Sequence, residues 1–116
     1  MTTHNLQLAA EPFQAILSGR KTIESRLYDE KRRLIHPGDL LIFINRDNPK
    51  ETIEARVTGL LKYDTFHNLF SSNDPAKFGG PSVEWLESQI NEFYIFDAQL
   101  RYGVIGIVFE EPESSA

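Results

Sequence analysis

The chain has 116 residues, 41% of them hydrophobic, with 8 Phe, 4 Tyr and 1 Trp; that is the length of one compact domain with enough apolar area to fold without staples. The absence of cysteine excludes a disulfide framework, a thiolate metal site and a cysteine nucleophile, and fits a reducing cytoplasm. The net charge of -5 argues against a protein that coats nucleic acid non-specifically. At the start, Met1-Thr2-Thr3-His4-Asn5 offers no basic leader, and no apolar run approaches the roughly 18–20 residues of a membrane span, so a cytoplasmic location is expected.

Asn5 to Ala9 alternates polar and apolar residues, as a short strand does. Glu11-Pro12 opens a helix with Phe13, Ile16 and Leu17 on its apolar face, and Gly19 caps it. Lys21 to Leu27 reads as a strand, with Ile23, Ser25 and Leu27 on one face and Thr22, Glu24 and Arg26 on the other. A turn at His36-Pro37-Gly38 leads into the apolar run Asp39 to Asn45, which reads as a central, buried strand. Thr52 to Tyr63 continues as a long strand, bent at Gly59.

Short helices are predicted behind the caps Asp64-Thr65 and Ser82. The Pro- and Gly-rich stretch Asp74 to Pro81 between them is either a plain connection or a mobile flap over a cleft. A last helix around 95–100 leads through Tyr102-Gly103 into the strand Val104 to Phe109, and residues 111–116 form an acidic tail expected to be disordered. Long crossover helices between successive strands are missing. The order therefore fits an α+β class, a bent sheet or barrel of five to six mostly antiparallel strands with short helices at its ends, as a single domain over residues 1–110.

Charge is concentrated in one place. Between Arg20 and Arg33 there are six basic residues (Arg20, Lys21, Arg26, Lys31, Arg32, Arg33) against three acidic ones (Glu24, Asp29, Glu30), an anion-friendly segment in an acidic chain. Glu24 and Arg26, two apart on one strand face, can form an ion pair. Alternatively, Arg26 can hold a phosphate or carbonyl oxygen while Glu24 accepts a proton or bonds to an amino group. Lys21, if partly desolvated, can serve as a base or an electrophilic donor. Thr22 shares the face of Glu24 and Arg26. Lys31, Arg32, Arg33 and His36 can meet phosphate. His4, His36 and His67 lack metal-ligand spacing, and neither metal nor cofactor is expected. Tyr28, Phe78, Trp85, Phe93 and Tyr94 include possible base-stacking surfaces, although Trp85 reads better as core.

Gly19-Arg20-Lys21-Thr22-Ile23-Glu24-Ser25-Arg26, followed by Tyr28-Asp29-Glu30-Lys31-Arg32 and by Pro37-Gly38-Asp39 before an apolar strand, resembles the signature of the ASCH domain, of the PUA-like superfamily of small β-barrels. The resemblance implies a cleft lined by Lys21, Glu24 and Arg26, with Thr22, Tyr28, Lys31 and Arg32 as ligand-binding neighbours, and a partner that is RNA or a nucleoside-type small molecule. It also implies an alternative as a hydrolase, since some relatives are acetylcytidine amidohydrolases and some are ribonucleases. In the amidohydrolase branch the lysine matching Lys21 is catalytic. Glu24 stands where that branch has threonine, and its later catalytic glutamate matches one of Glu84, Glu87 and Glu92. A non-catalytic protein-interaction domain is the third reading, tied to a cleft filled by core side chains.

Overall fold

The computed structural model describes residues 1–111. The chain runs through β1 (Thr3–Leu8), α1 (Ala10–Leu17), β2 (Ile23–Leu27), β3 (Leu40–Asn45), β4 (Thr52–Tyr63), α2 (Phe66–Ser71), α3 (Val83–Ile90), α4 (Phe96–Tyr102) and β5 (Val104–Glu110). Short 3-10 turns occupy Arg32–Leu34 and Pro75–Phe78. Apart from Glu111, the expected acidic tail lies outside the described residues. Among these residues, no helix is long and apolar enough to cross a membrane.

The strands form one mixed sheet of order β1-β3-β4-β5-β2, and the α+β class expected from the sequence holds. Three neighbouring pairs are antiparallel. The exception is β1 beside β3, which is parallel with Thr3 opposite Leu40, because α1, β2 and the following loop carry the chain across the molecule and back before β3 begins. Asp39 fixes that return: its carboxylate accepts from the backbone N–H of Thr2 (3.1 Å) and of His36 (3.0 Å) and meets His4 Nε2 at 2.9 Å. The bond to His4 and the two backbone donors hold the Asp39 carboxyl at about 2, below the usual 3.8, against the opposing effect of burial. In β4 the register slips between Val57 and Gly59, at the predicted bend.

Apolar side chains pack on both sides of the sheet. Phe13 and Ile16 of α1 join Leu6, Phe43, Ile105 and Ile107 on one side, while α2 and α3 bring Leu69, Phe70 and Leu86 against Ile23, Leu27 and Val104 on the other. β5 meets apolar side chains on both faces, with Ile105 and Ile107 on one and Val104 on the other, which is why five of the six residues Val104–Phe109 are buried. The β3 run differs from its expectation as a strand buried throughout. It sits next to the edge strand, and only its alternate residues Leu41, Phe43 and Asn45 are buried, because no helix covers its outer face.

The Asp74 to Pro81 stretch is docked. Asp74 caps the turn by accepting from Ala76 N, Phe78 is buried edge-on against Phe70 at 5.0 Å, and Lys77 O accepts from Thr22 N at 2.8 Å. It is a connection that braces the start of β2. Of the expected caps, Thr65 of the Asp64-Thr65 pair accepts from Asn68 N, and Ser82 accepts from Trp85 N.

Candidate functional site: a cationic and aromatic cleft beside β2

Gly19 turns the chain with φ +83°, a conformation that L side chains rarely adopt. Lys21 N then donates to Ala15 O at 3.0 Å and Thr22 N to Lys77 O, so Lys21 enters β2 pinned between α1 and the 3-10 turn. β2 pairs with β5 on one side only. Its free edge faces β1, and Arg26 bridges that gap by donating from Nη2 to Gln7 O at 2.9 Å.

Glu24 lies at the centre. It is 4% exposed, and both carboxylate oxygens are engaged: Oε1 accepts from Ser25 N (2.9 Å) and pairs with Lys21 Nζ (3.0 Å), while Oε2 accepts from Arg26 Nη2 (3.1 Å) and Nε (3.4 Å). Burial alone would raise its pKa. The charges of Lys21 and Arg26, with the bonds from Lys21 and Ser25 N, outweigh burial and bring it to about 2, from the ordinary 4.5. Such a carboxylate is a poor proton acceptor near neutral pH. Its physical effect is to hold two cations side by side, and Lys21 retains ammonium hydrogens beyond the one directed at Glu24.

These three residues open on a cavity of about 660 Å³, within the usual range for a small-molecule site. Across it stand Phe70, Phe78, Trp85, Phe93 and Tyr94. Trp85 is half-buried; it packs against the α2–α3 core and also lines the cleft, so its expected core role is half of its environment. Phe93, 64% exposed, stands at the rim. The remaining basic residues of the lining are Arg20 and Arg46, and the remaining carboxylates are Glu11 and Glu92. Of the three later glutamates, Glu92 alone lines this cleft; Glu84 is exposed on α3, and Glu87 bonds to His67 Nδ1 at 3.0 Å beside a smaller cavity of about 360 Å³.

The other candidates lie elsewhere. Thr22 is exposed and outside the cleft lining. Tyr28 stands at the far end of β2 between two cations, with Arg33 Cζ 4.3 Å and Lys62 Nζ 5.0 Å from its ring centre. Arg32 bonds to Asp29 at 2.7 Å, and Lys31 is exposed. Tyr28, Lys31 and Arg32 therefore form a basic surface separate from the cleft. Among the described residues, no group of three His, Asp or Glu could hold a metal ion.

Sequence reasoning missed Arg46 and Gly79. Arg46 lies in the turn after β3, where its backbone N–H donates to Leu8 O at 2.7 Å and so stands beside the end of β1. Gly79 has φ +87°, and a Cβ there would come within 3.3 Å of Lys21 Cβ, so the glycine leaves room for the lysine stem. The parallel β1–β3 pairing was the missing signal, since it brings residue 46 beside residue 8.

The ASCH domain family model matches residues 6–113. The chain is similar to the crystal structure of the hypothetical protein PH0355 (32% identity, TM-score 0.83, covering 94% of this chain and 98% of that one). It is similar too to the solution structure of protein PF0455 from Pyrococcus furiosus (30%, TM-score 0.75, covering 97% and 100%). ASCH from Zymomonas mobilis shares the fold at 18% identity and TM-score 0.66, over 92% of this chain and 66% of that one. No curated protein matches the chain. With its sheet topology and the Lys21-x-x-Glu24-x-Arg26 motif gathered in one cleft, the chain belongs to the ASCH domain family.

Proposed function

We propose that this ASCH domain protein binds a nucleoside- or nucleotide-type ligand, free or as part of RNA, in the cleft beside β2. The observation that carries this reading is the pairing, across one cavity, of two cations organised by a buried carboxylate with an aromatic wall. Lys21 and Arg26 suit carbonyl or anionic oxygens, and Trp85 and Phe93 suit the flat, apolar face of a base. Binding rather than hydrolysis is favoured because Glu24, the carboxylate nearest both cations, is saturated and held at about 2. A purely protein-interacting domain was tied to a cleft filled by core side chains, and the cavity of about 660 Å³ supports the ligand reading over it.

Titration of the protein with a panel of nucleosides, nucleotides and short single-stranded RNA, by calorimetry, tests the proposal. At least one member should bind saturably, and Lys21→Ala should weaken it roughly tenfold or more, the size expected for losing a charge-assisted hydrogen bond. Absence of saturable binding across the panel, or equal affinity in Lys21→Ala, counts against it. A hydrolytic second reading rests on Glu92, the one of the three later glutamates in the cleft. Acetylcytidine turnover that disappears in Glu92→Gln would favour it.

A further inference from the structure

Four cations of the cleft, Arg20, Lys21, Arg26 and Arg46, face three carboxylates, whereas the whole chain carries a charge of -5. The cleft is thus cationic in an acidic protein. Lys21 and Arg26 share Glu24, and the Arg20 Nε donates to Ser18 Oγ at 3.1 Å. Arg46 is different: its side chain is exposed and has no hydrogen-bond or ion-pair partner among the described residues. Its backbone is nonetheless fixed, through Leu8 O at 2.7 Å. Arg26 is fixed to the preceding carbonyl, Gln7 O, at 2.9 Å. Successive carbonyls of a strand point to opposite edges, so the two arginines flank the C-terminal end of β1 from either side and both line the same cavity.

Resting on the nucleoside-type reading of this cleft, we propose that its ligand is a mononucleotide rather than a nucleoside, with the phosphate seated between Arg26 and Arg46 at the end of β1. A phosphate monoester carries about -1.5 to -2 charges near pH 7. It neutralises the one guanidinium of the pair that lacks a carboxylate and accepts from the other at an N–H not directed at Glu24, while Trp85 and Phe93 remain available to the base. Two planar guanidiniums favour phosphate over a single point charge, because Arg46 can donate two parallel bonds and Arg26 keeps the Nη1 hydrogens that Glu24 and Gln7 O do not take. The cavity is of single-ligand size, which fits a mononucleotide without a polymer.

Calorimetric titration of nucleosides, of their 5′- and 3′-monophosphates and of inorganic phosphate, with wild type, Arg46→Ala and Arg46→Glu, tests the assignment. Arg46 is exposed and unbonded through its side chain, so these variants are expected to fold, which circular dichroism checks. A monophosphate should bind wild type roughly tenfold or more tightly than its nucleoside, with affinity falling as salt rises. Arg46→Ala should remove most of that preference and Arg46→Glu all of it, read as the ratio of monophosphate to nucleoside affinity in each variant. Equal binding of nucleoside and monophosphate to wild type overturns the phosphate seat and leaves the nucleoside reading standing; so does a preference that survives in Arg46→Glu. Inorganic phosphate binding as tightly as the monophosphates, or no binding of any probe, overturns both readings.

Discussion

Glu24 is a carboxylate whose burial is tolerable only because two cations and one backbone N–H are built around it. Replacing it with Gln leaves Lys21 and Arg26 facing each other in a half-desolvated site without a counter-charge. We expect Glu24→Gln to lose about 3–5 kcal/mol in denaturant unfolding, the usual cost of removing one partner of a buried pair. The pH dependence has a definite sign. The folded-state pKa of about 2 lies below the ordinary 4.5, so the unfolded chain binds more protons between those values. The contribution, on the order of 3 kcal/mol, is fully present above about pH 4.5 and is lost as pH falls through about 2. In Glu24→Gln the stability curve should be flatter over that window; an unchanged acid slope would show that Glu24 is not the titrating group. At this scale the motif was legible, since strand alternation alone puts Glu24 and Arg26 on one face. The saturation of Glu24 was not legible, because the Lys21 ammonium reaches it only through the turn at Gly19, and the bond from Ser25 N depends on the side chain folding back on its own backbone.

At the scale of elements, the cleft depends on how its borders are held. Gly79 lies in the left-handed region and against Lys21, so Gly79→Ala should cost about 1–3 kcal/mol of stability and weaken ligand binding by displacing the lysine stem. Normal stability and affinity in that variant would remove Gly79 from the account. The 74–81 stretch shows what composition leaves open: proline and glycine mark a break in regular structure, and the burial of Phe78 and the bond from Thr22 N favour the connection of the two alternatives. β1 is an edge strand secured by Asp39. Asp39→Asn should speed hydrogen exchange of the Thr3–Leu8 amides relative to those of β4 and β5. Unaltered exchange in β1 would mean that strand pairing with β3 suffices. The helices and their caps were readable from local spacing. The parallel β1–β3 pair was not, since it joins segments separated by more than thirty residues with no local signature.

For the whole molecule, the mixed sheet is an open half-barrel whose two edges, β1 and β2, approach each other where Arg26 reaches Gln7 O. That seam, with α1 on one flank and α3 on the other, creates a cleft whose charge opposes that of the chain. Net charge alone pointed away from non-specific coating of nucleic acid, and only the fold shows that four cations are gathered in one cavity while Tyr28, Lys31 and Arg32 form a different surface. The acid sensitivity of the whole protein should also retain a part from Asp39, whose pKa of about 2 is likewise depressed, so its contribution is present above about pH 4 and is lost toward pH 2. The most direct test of the central claim is an NMR chemical-shift titration of the isotopically labelled protein with mononucleotides. The account predicts saturable shifts clustered at residues 20–26, at Arg46 and at residues 85–94. Saturable shifts confined to residues 28–33 and Lys62, or no saturable shifts at all, would contradict it.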